Sequence, residues 1–163
     1  MTGTPPHAPL IYRAESPRAT EALAEKIAQV GQPGDLITLD GDLGAGKSHF
    51  ARAFIRALCG AGIAVPSPTF ALIQSYDGPS FPLHHFDLYR LETPEELEEL
   101  GFWDALDTGL CLIEWPDRAA GLLPQTGLRI AITPGDTDEA REIALTAGPG
   151  WTGRRAALEE MCG

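Results

Sequence analysis

The feature that most constrains this chain is a glycine-rich segment at residues 41–48, which reads Gly-Asp-Leu-Gly-Ala-Gly-Lys-Ser. It is a complete G-x-x-x-x-G-K-[ST] phosphate-binding motif. Residues 36–39 before it are apolar and partly β-branched, and residues 49–59 after it have the apolar spacing of a helix. A strand, a glycine-rich turn and a helix in this order present backbone N–H groups to an anion. The chain is therefore predicted to bind nucleotide phosphates at this loop.

The side chains of the loop predict how a nucleotide would be held. Lys47 supplies a positive charge to the β- and γ-phosphates, and Ser48 supplies a hydroxyl to Mg²⁺. The loop glycines allow backbone angles that a side chain would block, so the peptide N–H groups can face the phosphates. The residues expected to bind the nucleotide are Asp42, Leu43, Gly44, Ala45, Gly46, Lys47 and Ser48.

The charge of the chain argues against direct binding of nucleic acid. The sequence carries 23 acidic and 12 basic residues, which give a formal net charge of −11 at pH 7. A protein that grips tRNA or DNA by itself usually presents a basic surface. We therefore expect negligible tRNA affinity for the isolated protein, whereas an acidic surface suits docking to a basic protein partner.

Length and cysteine usage indicate one domain in a reducing compartment. The 163 residues fit a single domain, which we place at residues 10–163, after a short disordered arm at residues 1–9. The three cysteines are widely spaced and show no metal-binding or redox pattern, which fits the cytoplasm. Because the sequence has neither a signal-peptide pattern nor a long apolar run, we expect no membrane association.

Apolar patterns along the chain predict alternating strands and helices. Such an alternation around a phosphate loop predicts a three-layer α/β domain, a phosphate-loop NTPase with a mostly parallel central sheet and an antiparallel hairpin. The predicted strands cover residues 10–12, 36–39, 70–76, 82–89, 110–113, 128–133 and 141–146, and the predicted helices cover residues 17–30, 49–59, 93–101 and 153–161.

Two acidic residues lie near the ends of predicted strands, where ligands bind in parallel sheets. Glu114 directly follows the apolar run at residues 110–113, and an acid there holds Mg²⁺ or orients the attacking water. The alternative is an ordinary carboxylate that faces water. Asp87 could hold a metal-bound water or act as a base toward the attacking water. Paired with Arg90, it would instead only close its strand.

Three further residues leave alternatives open. Thr69, within Ser-Pro-Thr-Phe at residues 67–70, lies where many phosphate-loop enzymes carry a switch loop that reaches Mg²⁺ and the γ-phosphate. A simple turn into the next strand fits the same residues. His85 reads as a packed, hydrogen-bonded histidine. Trp115 could wall the nucleotide site or belong to the core.

The assembled motifs resemble one known family. In chain order they are GDLGAGKS, SPTF, HFDLYRL, TPEELEELG and LIEWPDRAAGLLP, and together they resemble the TsaE (YjeE) family. The resemblance runs over residues 16–146. The phosphate loop alone is generic, whereas SPTF, HFDLYR and IEWP at these spacings are much more specific. Members of this family are bacterial ATPases required for threonylcarbamoyladenosine formation on tRNA.

The resemblance implies a protein that binds ATP and Mg²⁺, hydrolyses ATP slowly and docks on a heterodimer of TsaB and TsaD. Because TsaD would carry out the transfer to tRNA, this chain would meet tRNA only through the complex. The family usually has threonine where this chain has Ser48, and either hydroxyl can bind Mg²⁺. The implied roles are phosphate binding by Lys47, Mg²⁺ binding by Ser48 and Glu114, switching by Thr69, assistance of hydrolysis by Asp87, and nucleotide contact by Asp117 and Arg141.

A different class of function also fits a phosphate-loop scaffold, namely a small-molecule kinase. A kinase needs an acceptor pocket and usually a lid that carries arginines, and arginines are sparse in this sequence. A GTPase fits less well, because no Asn-Lys-x-Asp guanine motif occurs. The sequence leaves open the oligomeric state, the coupling of hydrolysis to modification and the residues that recognise adenine.

Overall fold

The protein is described by a computed structural model over residues 8–66 and 72–163. Most of the arm predicted at residues 1–9 lies outside these described residues, and so does Thr69, the residue predicted to act as a switch. The strands are β1 (Leu10–Ala14), β2 (Leu36–Asp40), β3 (Ile73–Asp77), β4 (Pro82–Asp87), β5 (Leu110–Glu114), β6 (Leu128–Pro134) and β7 (Arg141–Ala147). The α-helices are α1 (Pro17–Gln29), α2 (Lys47–Cys59), α3 (Glu96–Glu99), α4 (Phe102–Thr108) and α5 (Arg155–Cys162), and 3₁₀ helices span Pro116–Ala119 and Pro149–Arg154.

The described strands form one seven-stranded sheet in the order β1-β7-β6-β2-β5-β4-β3. The four strands β6, β2, β5 and β4 run parallel to their neighbours at the centre of the sheet. The pairings at both edges, β1 with β7, β7 with β6, and β3 with β4, are antiparallel. The mixed α/β fold and its hairpin are thus confirmed, with parallel pairing confined to the centre. The pairs β3–β4 and β6–β7 are consecutive strands joined by short connections, which only antiparallel neighbours allow, whereas β1 pairs with β7 from the other end of the chain.

Helices cover both faces of this sheet, which confirms the three-layer arrangement. One face carries α1, α2 and α5, with Phe50 of α2 packed against Leu39 of β2 in one buried core. The other face carries α3, α4 and the first 3₁₀ helix in a second core that contains Phe86. Because successive strand residues point to opposite faces, Leu112 of β5 belongs to the first core and Cys111 to the second. The same alternation decides which strand residues can reach α2.

Local sequence signals set some helix bounds and mislead at others. Ser16 accepts the N–H of Ala19 through its hydroxyl at 3.2 Å, and α1 begins at Pro17, as predicted. The helix predicted over residues 93–101 is wrong in length, because α3 comprises only four residues. Gly101, with a φ of 81°, separates it from α4. The sequence pattern did not predict α4, since seven residues are too few to show helical periodicity.

Within the described residues, no helix combines the length and the apolar character that are needed to cross a membrane.

Candidate functional site

The glycine-rich loop connects the carboxyl end of β2 to the first residue of α2. Gly44 has a φ of 82° and Gly46 a φ of 111°, and both values lie in the region that favours glycine. At Gly41 the constraint is also steric, because a Cβ there would lie 2.8 Å from the carbonyl oxygen of Ile132. The loop therefore needs its glycines, and it leaves the N-terminal N–H groups of α2 facing the end of the sheet.

Lys47 is buried although it carries a charge, with only 5% of its surface exposed. Its Nζ donates hydrogen bonds to the carbonyl oxygens of Gly41 and, at 3.0 Å, of Asp42. The same atom lies 3.9 Å from the ring centroid of Trp115, which covers it as a cation–π contact. Burial lowers the pKa of Lys47, whereas the nearby charge of Glu114 opposes that shift. The amine is thus folded onto its own loop, at the place where the motif predicts phosphate.

A buried carboxylate faces the start of α2. Glu114 is the last residue of β5 and is 2% exposed. The hydroxyl of Ser48 donates to its Oε1 at 3.1 Å. His85, one strand away on β4, lies with its Nε2 2.7 Å from the other oxygen, Oε2. Both oxygens of Glu114 are therefore held, and the interpretation of a strand-end carboxylate that simply faces water does not apply.

Asp87 closes β4 directly beside Glu114, its partner in the parallel register. Its Oδ1 accepts the backbone N–H of Tyr89 at 3.1 Å. Burial raises the pKa of the Asp87 carboxyl, the bond from Tyr89 opposes this shift, and the charge of Glu114 adds to it. A carboxyl with a raised pKa beside a phosphate loop is suited to accept a proton from water.

These residues line one cleft of about 420 Å³ at the carboxyl end of the parallel strands. Trp115 forms one wall, and its ring centroid lies 5.0 Å from that of Tyr89. Its backbone is left-handed, with a φ of 58°, a conformation that costs a non-glycine residue about 1–3 kcal/mol. That backbone brings the ring over the loop while the chain turns away into the first 3₁₀ helix. The lining residues are Leu43, Gly44, Gly46, Lys47, Ser48, His49, Asp87, Tyr89, Arg90, Glu114 and Trp115.

Four of the predicted nucleotide contacts are not among these lining residues, namely Asp42, Ala45, Asp117 and Arg141. Asp42 and Ala45 belong to the loop itself, where the carbonyl oxygen of Asp42 accepts from Lys47. Arg141 donates from Nε to the carbonyl oxygen of Ala45 at 2.7 Å, and from Nη1 to two carbonyl oxygens of its own β6–β7 connection. It supports the loop through its backbone. Asp117 lies in the first 3₁₀ helix and lines a second groove together with Asp40 and Arg129. Thr69 lies outside the described residues.

One contact that sequence reasoning missed is the link from His85 to Glu114. The histidine is packed and hydrogen-bonded, as interpreted from the sequence, but its partner is the proposed metal ligand. Alternation along β4 places His85 on the same face as Asp87, which was the available signal. This signal could not identify Glu114 as the partner, because the local sequences of β4 and β5 do not show that the two strands pair.

The oxygen donors of the cleft fit a magnesium ion. Ser48 and Glu114 offer a hydroxyl and a carboxylate oxygen that lie 3.1 Å apart at the start of α2. Within the described residues no group of three or more His, Cys, Asp and Glu side chains is arranged to hold a metal. Magnesium in nucleotide sites usually takes one or two protein oxygens and completes its shell with phosphates and water. Two hard oxygen donors beside a phosphate loop match that preference.

Comparisons with known proteins point to one family. The chain matches the family described as "Threonylcarbamoyl adenosine biosynthesis protein TsaE" over residues 14–143. It is 42% identical to the tRNA threonylcarbamoyladenosine biosynthesis protein TsaE of Bacillus subtilis over 139 residues, which cover 85% of each chain. It is 45% identical to the protein of that name from Rickettsia conorii over 113 residues, 69% of this chain and 65% of the relative.

A solved structure agrees with these sequence relationships. The crystal structure of YdiB from Bacillus subtilis superposes with a TM-score of 0.73 at 34% identity, over 94% of this chain and 93% of that one. The family match covers most of the chain and includes the phosphate loop, both acidic strand ends and the Trp115 turn. The chain belongs to the TsaE family of threonylcarbamoyl adenosine biosynthesis proteins.

Proposed function

We propose that this protein is a Mg²⁺-dependent ATP hydrolase that supports threonylcarbamoyladenosine modification of tRNA by binding a TsaB–TsaD partner complex. One observation carries the proposal: the phosphate loop, the Ser48–Glu114 oxygen pair and the Asp87 carboxylate all line a single cleft. The names of the relatives supply the pathway, since each is a tRNA threonylcarbamoyladenosine biosynthesis protein.

The loop and Lys47 would bind the phosphates. The Lys47 ammonium now bonds two loop carbonyls and would exchange them for phosphate oxygens, which are better partners because they are charged. Ser48 and Glu114 would hold Mg²⁺, which neutralises charge on the β- and γ-phosphates when it is bound. Trp115 would exclude water from the loop side of the cleft, where it already covers the lysine.

Asp87 would act on the attacking water. One of its oxygens, Oδ1, is engaged by the Tyr89 N–H, so Oδ2 would accept a proton from the water that attacks the γ-phosphorus. The bond from that phosphorus to the bridging oxygen of ADP would break, and ADP would leave. The proton would leave Asp87 again after phosphate is released. Thr69 would be the switch residue that responds to the γ-phosphate, and this role remains a prediction from the sequence motif.

Charge supports a protein partner in place of direct tRNA binding. With a net charge of −11, the isolated chain would repel the tRNA backbone. A basic face of a partner protein would instead attract this acidic chain. The partners that we propose are TsaB and TsaD, with tRNA contacted only through their complex. Intrinsic turnover would be low if the cleft is completed or reordered only in that complex.

The proposal is tested by steady-state ATP turnover with and without Mg²⁺ and with and without purified TsaB–TsaD. We expect slow Mg²⁺-dependent release of ADP by the protein alone and a changed rate with the partners. A panel of small-molecule phosphoryl acceptors serves as the control for the kinase alternative. The proposal would be overturned if ADP release required a phosphoryl acceptor and its rate did not change on addition of TsaB–TsaD.

A further inference from the structure

We propose that His85 is a positioning residue that holds Glu114 in the orientation needed to bind Mg²⁺. This inference rests on the proposed function, because it concerns the metal ligand of that site. No catalytic role is assigned to the histidine itself. It would act only through the carboxylate that it contacts.

The contact is short, buried and directed at one atom. His85 Nε2 lies 2.7 Å from Glu114 Oε2, and the two side chains are 3% and 2% exposed. An ionised carboxylate only accepts hydrogen bonds, so Nε2 is the nitrogen that carries the proton and donates. The other ring nitrogen, Nδ1, is buried and has no hydrogen-bond partner among the described residues. Among the described residues, the imidazole of His85 therefore makes its hydrogen bond to Glu114.

The sheet explains why this histidine reaches this carboxylate. β4 and β5 pair in parallel, with Asp87 opposite Glu114, and His85 is two residues earlier on the same face as Asp87. Ser48 contacts the same carboxylate from the first turn of α2. The carboxylate is thus held from a helix through Oε1 and from a strand through Oε2.

The two contacts differ in what remains when a metal binds. Ser48 and Oε1 are the donors that fit Mg²⁺, so a bound ion would compete with the Ser48–Glu114 hydrogen bond. The bond from His85 to Oε2 uses neither of these atoms and would persist. Groups that hydrogen-bond to metal-binding carboxylates orient them, and losing such a group typically weakens metal binding by about 10–100-fold.

The neighbouring histidine provides a matched control. His84 points to the other face of β4, with Nδ1 2.8 Å from the hydroxyl oxygen of Ser75 and Nε2 3.4 Å from that of Thr108. It is not part of the cleft lining. A substitution at His84 changes the neighbouring residue of the same strand without removing a contact to Glu114.

The test is the affinity of ADP, measured by calorimetry with and without Mg²⁺, for the wild-type protein and the His85→Asn, His85→Gln and His84→Asn variants. The readout is the factor by which Mg²⁺ tightens ADP binding. We expect His85→Asn to reduce this factor about tenfold with little change in Mg²⁺-free affinity, because its short amide cannot reach Glu114. His85→Gln, whose amide N–H extends to the position of Nε2, should restore the factor. His84→Asn should keep the wild-type value.

A wild-type factor in folded His85→Asn would overturn the proposal, and so would an equal loss in His84→Asn. If His85→Asn does not fold, nitrogen-15 NMR of the wild-type imidazoles decides the question. A proton on Nε2 of His85 whose shift responds to Mg²⁺–ADP, with His84 unchanged, supports the proposal, and an unprotonated Nε2 overturns it. Failure of the proposed function looks different, because wild-type protein would then show no Mg²⁺-dependent nucleotide binding.

Discussion

The cleft lined by the glycine-rich loop lies at the carboxyl ends of the parallel strands, and the second groove runs along β2 beside the first 3₁₀ helix. Both contain acidic and basic side chains, but these differ in burial. In the cleft, Lys47 and Glu114 are 5% and 2% exposed. In the groove, Asp40 and Arg129 form an ion pair at 2.7 Å in which the arginine side chain is 68% exposed. Buried charges are costly to keep, whereas an exposed ion pair contributes only about 0–1 kcal/mol.

The difference in burial distinguishes charged residues that are candidates for chemistry from charged residues that only face solvent. A charged side chain that faces water costs little folding free energy, so its presence needs no functional explanation. Lys47, Ser48, Asp87 and Glu114 are instead brought together at the carboxyl ends of parallel strands. Lys47 and Glu114 are buried there, and burial shifts the pKa values of Lys47 and Asp87 away from their usual ranges. Substitutions in the two places should therefore have very different effects on nucleotide chemistry.

The largest effect is expected from Lys47→Ala. Removing the charge that faces the phosphates should lower ATP turnover by about 10²–10³-fold, as for other transition-state stabilisers. The matched control is Lys26→Ala, which removes an exposed lysine from α1. Turnover and circular dichroism of both variants make the test. Near wild-type turnover in folded Lys47→Ala would show that the cleft is not the site of hydrolysis.

Glu114→Gln should separate nucleotide binding from metal use. The amide keeps the size of the side chain but loses the charge that attracts Mg²⁺, so turnover should fall by about 10²-fold while Mg²⁺-free ADP affinity changes little. Titrating Mg²⁺ into both proteins and removing it with a chelator checks this. The control is Glu142→Gln on β7, where the glutamate faces Arg13 at the surface. Unchanged Mg²⁺ dependence would transfer the acidic role to Asp87.

Asp87→Asn should change the pH dependence of turnover. Burial raises the pKa of Asp87, so the base form is lost as pH falls through a value above the usual range for aspartate. Turnover of the wild-type protein should therefore fall as the pH is lowered through this value. The variant should be slower by up to about 10²-fold, and its turnover should not show this decrease at low pH. Because the pKa of this half-buried carboxyl is raised in the folded protein, its ionised form costs folding free energy at neutral pH. Thermal unfolding should therefore show the variant to be no less stable. The same decrease at low pH in the variant would contradict this role.

The smallest effect is expected from Asp117→Asn. Asp117 lies in the second groove, away from the cleft lining, so the KM for ATP and the turnover should change by about twofold or less. Steady-state kinetics beside Asp87→Asn provide the comparison. A KM increase of about tenfold, worth about 1.4 kcal/mol, would place Asp117 on the nucleotide, as the family resemblance implies, and would extend the site into the second groove.

The fold class and the position of the glycine-rich loop between β2 and α2 could be predicted because their signals are local. The loop motif, its flanking strand and its helix are contiguous, so short-range spacing was sufficient to identify Lys47 and Ser48. Glu114 and Asp87 followed from the rule that ligands bind at strand ends. The length of α3 and the presence of α4 could not be predicted, because such short helices depend on tertiary packing around Phe102.

The sequence by itself thus determined the phosphate loop, the alternation of strands and helices, the family and the net charge. Only the tertiary structure decided which side chains meet. It joined Ser48, His85 and Glu114 into one network, covered Lys47 with Trp115 and placed Asp117 in the second groove. The two hydrogen bonds to Glu114 join residues that are 29 and 66 positions apart in the chain. Strand order and burial set them, and neither is a property of any single segment.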